Sequence, residues 1–188
     1  MSGLSRDQVR TSRRIALVLR HRPESAGLRL DANGWVPVGE LLAALRISRA
    51  ELDAIVEHND KARFAIARRD DGAEWIRASQ GHSRRVEVDL DLPPAEPPAV
   101  LFHGTPAANL DAILREGLRP RSRHHVHLSR DVPTALLVGR RRSADVVVLR
   151  VAAGELAAAG HVFHRSANGV WLTSAVPERY LALEPTNQ

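Results

Sequence analysis

The 188-residue chain contains no cysteine. That excludes disulfides, thiolate metal sites and cysteine nucleophiles. It has a single lysine, Lys61, so arginine carries almost all of the positive charge. Aromatic residues make up only 4% of the sequence, which leaves Leu, Val, Ile and Ala to fill a core. No apolar run approaches the ~20 residues of a membrane span. The start, Met1 to Arg14, is polar and basic, without the apolar stretch of a signal peptide. A cytoplasmic protein with no membrane partner is expected.

What is present suits a folded domain or two: 44% hydrophobic and 26% charged residues. A net charge of +5 and a pI near 11.0 favour polyanionic partners. Arginine can hold a phosphate with two parallel N–H bonds, which lysine cannot do. A coding sequence rich in G and C also raises the arginine count. The positions of individual arginines therefore carry more meaning than their number.

Pro93, Pro94, Pro97 and Pro98 crowd one short stretch that can continue neither a helix nor a central strand. Residues 93–98 read as a semi-rigid linker between domains at 1–92 and 99–188. In the first half, Ser12 to Leu19 reads as a helix with Ile15, Val18 and Leu19 inward, stopped by Pro23. Asp31 to Gly34 is turn chemistry, and Trp35 to Val38 a short strand or edge. A second helix starts at Val38. A third is capped by Ser48 and carries the stripe Leu52, Ile55 and Val56. Arg63 to Ala67 and Glu74 to Ala78 form a hairpin around Asp70-Asp71-Gly72. Helices followed by a two-stranded wing suggest a winged-helix-like lobe. In the second half, strands are expected at 100–103, 125–128, 145–151, 162–164 and 169–173. Helices are expected at 109–116, ending at Gly117, and at 131–138. The fold class expected is α+β, with a mixed, mainly antiparallel sheet in the second half.

Chemistry concentrates in a few places. Arg20-His21 closes the first helix, either as cations answering the helix dipole or as a phosphate clamp with a polarising His. His103-Gly104-Thr105 ends a strand, where glycine would let a ligand approach the backbone and His and Thr could bond to its hydroxyls. Arg123 to Ser129 holds His124, His125 and His127. Alternation puts His125 and His127 on one face and Val126 and Leu128 in the core. No nearby carboxylate or cysteine completes a zinc site with that pair, so no metal is expected. The stretch from Arg77 through Gln80 and His82 to Ser83 is a polar turn that suits phosphate or base contacts, or a solvated loop. Lys61 and Arg63 flank the start of the hairpin, beside a Phe64 expected in the core.

Taken in order, these segments form one pattern: Leu19-Arg20-His21 through Pro23-Glu24 to Gly34-Trp35-Val36, then Asn59-Asp60-Lys61 with Arg63-Phe64. Ile76 to Ser83, His103-Gly104-Thr105, Arg123 with His125 to Ser129, and Asn168 to Thr173 follow. The chain resembles, from about Ser12 to Leu183, the RNA 2'-phosphotransferase family, a tRNA splicing enzyme found also in bacteria. The resemblance implies a winged-helix-like lobe joined to an ADP-ribosyltransferase-like lobe that binds NAD as co-substrate. It implies that an internal RNA 2'-phosphate attacks the anomeric carbon of the nicotinamide ribose and releases nicotinamide. The ribose 2''-hydroxyl then attacks the phosphorus. The products are RNA with a 2'-hydroxyl and ADP-ribose 1'',2''-cyclic phosphate, with no metal needed.

The same resemblance assigns catalysis to Arg20, His21, Arg63 and Arg123. It assigns NAD binding to His103, Gly104, Thr105, His127, Leu128, Ser129 and Asn168. Lys61, Arg77, Gln80 and His82 are the candidates for holding RNA phosphates. Many ADP-ribosyltransferases carry a glutamate where this chain has Asn168-Gly169-Val170-Trp171; an anionic phosphate nucleophile needs less activation. The segment from Leu45 to Leu52 is short beside many members. The alternatives are an ADP-ribosyltransferase acting on terminal phosphates of RNA or DNA, and a non-catalytic winged-helix RNA-binding protein. No extended apolar stripe demands a second copy, and a monomer is expected.

Overall fold

Ser5 opens the first helix, α1 (Arg6–Arg20), in the computed structural model, which describes residues 4–58 and 63–185. Its hydroxyl accepts the Gln8 N–H while the Gln8 side chain accepts the Ser5 N–H, a reciprocal cap that starts the helix six residues before Ser12 is reached. The inward face is Thr11, Ser12, Ile15, Val18 and Leu19. A 3₁₀ turn, Pro23–Ala26, follows, and Gly27 closes it at φ +67°. Asp31 then accepts the N–H groups of Asn33 and Trp35 at 3.0 and 2.8 Å, folding the turn that leads into β1 (Val36–Pro37).

Two short helices come next, α2 (Val38–Leu45) and α3 (Arg49–Glu57), the latter capped by Ser48 onto the Glu51 N–H. Arg46 turns between them in the left-handed region, at φ +52°. The hairpin β2 (Phe64–Arg68) and β3 (Glu74–Ala78) pairs antiparallel, and β1 adds to the other edge of β3. Ile15, Leu19, Val36, Leu41, Leu52, Ile55 and Ile76 are fully buried in one cluster, joined by Phe64. Each such aliphatic side chain contributes about 2 kcal/mol by leaving water. One face of this hairpin is pinned outside the core. Arg69 lies 3.6 Å over the Trp75 ring and donates to Asp31 at 2.5 Å.

The chain divides into two compact units, Met1–Asp91 and Leu92–Gln188. The proline run thus belongs to the second unit rather than standing between two domains. Its backbone is used there: Ala95 N–H donates to Phe163 O at 2.8 Å, and His164 Nδ1 lies 2.6 Å from Leu92 O. Prolines lack the N–H but keep the carbonyl, and the non-proline residues among them supply the donors.

The second unit holds two three-stranded antiparallel sheets. One has the order β4 (Leu101–Pro106), β6 (Val146–Val151), β9 (Leu181–Leu183). The other has the order β5 (Val126–Leu128), β8 (Trp171–Thr173), β7 (Phe163–Arg165). Helices α4 (Leu110–Glu116), α5 (Val132–Gly139) and α6 (Ala153–Ala158) connect them. Leu101, Leu128, Leu149, Val151, Leu156 and Phe163 are buried together. The fold class is therefore α+β built on small antiparallel sheets. Among the described residues, no helix is long and apolar enough to cross a membrane.

Candidate functional site

The end of α1 places the first group. Arg20 is its last residue, and the His21 N–H still bonds to Leu17 O at 2.9 Å before the backbone turns away. Backbone bonds lace this end to two distant segments. The Arg20 carbonyl accepts the Ser83 N–H at 2.9 Å, and the Arg63 carbonyl accepts the Ser79 N–H at 2.9 Å. Arg20 Nη2 also points to the Arg63 carbonyl, at 3.4 Å. Arg20, His21, Arg63 and the turn from Ser79 to Ser83 therefore share one end of the first unit.

Within that turn Ser79 and His82 are buried. Gln80 is half-buried, and its Oε1 accepts no hydrogen bond among the described residues. An unsatisfied buried acceptor calls for a donor from outside, such as a hydroxyl or an amino group, rather than a phosphate oxygen. Arg77 is engaged elsewhere. Its Nη1 donates to Asn33 O at 3.3 Å and to Leu90 O at 3.0 Å, and the guanidinium stacks over Trp35 at 4.6 Å. It binds the turn before β1 to the stretch after the hairpin. Lys61 lies outside the described residues.

The second group is assembled in the other unit by one pair of backbone bonds. Phe102 N–H donates to Ser129 O at 2.8 Å, and Ser129 N–H returns the bond to Phe102 O at 2.7 Å. This bridge sets β4 beside the end of β5, and so His103 beside His127. A carbonyl only accepts, so the 3.0 Å contact of His103 Nδ1 with His127 O puts the His103 proton on Nδ1. Burial pushes the His103 pKa down, and the charge of Arg142 adds to this, against the weaker upward pull of the His127 carbonyl. Neutral His103 then presents Nε2 as an acceptor, the arrangement that receives a hydroxyl.

Arg123 Nη1 lies 2.6 Å from His127 Nδ1. A guanidinium only donates, so His127 Nδ1 accepts and its own N–H is on Nε2. Burial first, then the charges of Arg142 and Arg141, holds Arg123 below the usual arginine range. Val126 and Leu128 are buried, as strand alternation requires; Leu128 therefore offers a ligand only its backbone. Thr105 is buried, and its hydroxyl accepts from Asn109 Nδ2 at 3.3 Å.

Gly104 answers a different need from the one its motif suggests. A Cβ there would sit 1.9 Å from the Ala135 carbonyl oxygen, so the missing side chain makes room for α5 rather than for a ligand. Asn168 is held by Ser166, whose hydroxyl donates to Asn168 Oδ1 at 2.6 Å, within a turn closed by Gly169 N–H to Ser166 O at 2.8 Å. Phe102, Asn109, Ser166, Arg141 and Arg142 support or border these groups without belonging to the motifs. For Arg141 and Arg142 the sign in the sequence is a run of three arginines after an apolar segment.

The buried His103 makes a pH prediction. The unfolded chain protonates this residue near the ordinary value of 6.5, while the folded unit resists until lower pH. Its contribution to stability is complete above about 6.5 and is lost as the pH falls below it. His103→Gln should therefore lose less urea resistance than the parent between pH 8 and pH 5. Parallel losses in the two proteins would refute this.

A sequence model described as "RNA 2'-phosphotransferase, Tpt1 / KptA family" matches residues 6–175, which takes in both groups of side chains. The chain belongs to this family. Among its relatives, a "Probable RNA 2'-phosphotransferase" of Streptomyces griseus is 56% identical over 187 residues, covering 95% of this chain and 97% of the relative. Proteins of the same description from Rhizobium leguminosarum bv. trifolii and Herpetosiphon aurantiacus are 50% and 51% identical, each covering more than 90% of both chains. Family members are transferases, and the first strand of the second unit, with its His103, lies well inside the matched segment.

Proposed function

We propose that this protein removes an internal 2'-phosphate from RNA with NAD as co-substrate, through its two chemically distinct groups of side chains. The observation that carries the proposal is the pairing of β4 with β5. It puts a neutral His103, with a free acceptor at Nε2, beside the Arg123–His127 pair. A hydroxyl acceptor next to an arginine suits a ribose that bears or receives a phosphate.

NAD supplies an anomeric carbon with nicotinamide as its leaving group. A phosphate oxygen of the RNA forms the new bond to that carbon as the carbon–nitrogen bond breaks. The ribose 2''-oxygen then bonds to phosphorus, and the bond from phosphorus to the RNA 2'-oxygen breaks. The 2''-hydroxyl loses a proton and the RNA oxygen gains one. In this reading Arg20, Arg63 and Arg123 neutralise charge on the phosphate. His21 holds or moves the proton. His103 and Thr105 orient the ribose hydroxyls, and Ser129 and Asn168 complete the NAD contacts. Gln80, whose Oε1 accepts nothing from the protein, takes a hydroxyl or amino donor of the RNA. The three helices and hairpin of the first unit are read as a winged-helix-like RNA-binding lobe, and the second unit as an ADP-ribosyltransferase-like lobe.

The test is product analysis after incubation with NAD and an oligonucleotide carrying an internal 2'-phosphate. Nicotinamide, a 2'-hydroxyl oligonucleotide and ADP-ribose 1'',2''-cyclic phosphate are expected in equal amounts. A parallel incubation with a 5'-phosphorylated DNA distinguishes ADP-ribosylation of terminal phosphates. Failure to release nicotinamide with the 2'-phosphorylated strand would overturn the proposal.

A further inference from the structure

The turn that follows α5 carries three consecutive exposed arginines, Arg140, Arg141 and Arg142. Backbone bonds shape it: Arg141 N–H donates to Val138 O at 3.3 Å and Arg142 N–H to Gly139 O at 2.9 Å. Gly139 is packed directly on β4. A Cβ at Gly139 would lie 3.2 Å from the Gly104 carbonyl carbon and 3.3 Å from the Thr105 nitrogen. The far end of the same turn is tied to the end of β4 by Ala107 N–H to Asp145 O at 3.2 Å. The arginine turn is therefore fixed at both ends to the strand of His103, Gly104 and Thr105.

The charge of Arg142 bears on both His103 and Arg123, and that of Arg141 on Arg123. Asp145 is the carboxylate nearest in the chain. Among the described residues neither Arg141 nor Arg142 has an ion-pair partner, and none of the ion pairs present involves Arg123. Three guanidinium groups gathered against a buried histidine repel one another unless an anion lies among them. A planar guanidinium is the side chain best matched to phosphate oxygens.

We infer that Arg142, supported by Arg141, binds the diphosphate of the dinucleotide co-substrate. The inference rests on the NAD reading of β4. In a dinucleotide the diphosphate is tethered through one methylene to the nicotinamide ribose. A ribose held at His103 and Thr105 thus brings its diphosphate close to the turn pinned on the same strand. An RNA phosphate has no such tether to that ribose.

The test uses the full chain with Arg142→Gln and Arg142→Lys. Arg115→Gln, on the exposed last turn of α4, removes one positive charge away from the site. ADP-ribose binding is measured by titration calorimetry, NAD kinetics by nicotinamide release, and RNA binding with the 2'-phosphorylated oligonucleotide. Arg142→Gln should weaken ADP-ribose binding and raise the KM for NAD by about tenfold or more, as loss of a charge-assisted phosphate contact does. Its kcat should stay within about twofold, because the contact is made equally before and during the reaction. Arg142→Lys should recover part of the loss, and Arg115→Gln should match the parent. Unchanged ADP-ribose affinity in Arg142→Gln, or a loss confined to the oligonucleotide, would overturn the inference while leaving NAD use intact. A parent protein that neither binds ADP-ribose nor releases nicotinamide would overturn both.

Discussion

Arg63→Ala is expected to leave the protein folded and to stall the reaction after nicotinamide has been released. The folded state survives because Arg63 serves the structure through its carbonyl, which accepts from Ser79 and Arg20 and is present in alanine too. The guanidinium makes no hydrogen bond or ion pair among the described residues, so it is available to a ligand. The second step crowds a phosphorus between entering and leaving oxygens. Removing a fixed donor at such a centre costs about 10²–10³ in rate. The first step asks less, since the attacking phosphate is already anionic. The expected result is an oligonucleotide that gains ADP-ribose on its 2'-phosphate and accumulates in that form. His21→Ala should stall at the same point, by about 10²–10⁴ if its role is proton transfer. The His21 cap bond to Leu17 runs through the backbone and persists in the variant. Mass analysis of the oligonucleotide over time reads both. Full turnover in both variants would show that these side chains do not perform the second step.

That Arg20, His21 and Arg63 would share a location was not deducible from their spacing. Periodicity marks the end of α1 and the start of β2 as separate places, and the bonds from Ser83 and Ser79 that join them are long-range. The local elements were more legible. Ile15, Val18 and Leu19 repeat at helical spacing, Ser48 precedes Glu51 by three residues, and Asp70-Asp71-Gly72 punctuates the hairpin. Each of these signals lies within one turn or one hairpin, where backbone sterics and capping decide the outcome. The first turns of α1 were hidden because they carry polar side chains, and only the Ser5–Gln8 cap announces them. Helix α6 has the composition Ala-Gly-Glu-Leu-Ala-Ala, which shows little periodicity; burial of Ala153 and Leu156 forms it. Strand β9 is three residues long and exists through pairing with β6.

The candidate site divides in the same way. His103 and His127 stand out by residue type, yet their tautomers follow from which carbonyl and which guanidinium they meet. The bridge that sets them side by side, from Phe102 to Ser129, uses only backbone atoms and leaves no mark in the sequence. Arg77 shows the converse. Its position beside a polar turn suggested a ligand contact, while the structure gives its guanidinium to two carbonyls and the face of Trp35. A cation that satisfies buried carbonyls is indistinguishable in sequence from one that awaits a phosphate.

Gly104→Ala should be the most damaging of the glycine substitutions for the second unit, even though alanine adds only one methyl group. The new Cβ would have to occupy a point 1.9 Å from the Ala135 oxygen and 2.6 Å from its carbon, both backbone atoms of α5. No rotamer relieves such a clash, because a Cβ has none. Either α5 lifts away from β4 or the strand shifts against β6, and each choice opens the contact on which the arginine turn depends. The overpacking cost is expected to reach about 3 kcal/mol or more. Gly39→Ala provides the opposite case. It lies inside α2 with nothing within 4 Å of its would-be Cβ, so alanine should stabilise by about 0.5–1 kcal/mol through helix propensity and a less flexible unfolded chain. Urea unfolding of both variants against the parent makes the comparison. If Gly104→Ala unfolds at the parent's midpoint, the close approach of α5 to β4 is not a constraint on this fold. If it unfolds early, ADP-ribose binding should weaken with it, because lifting α5 carries Arg141 and Arg142 away from His103.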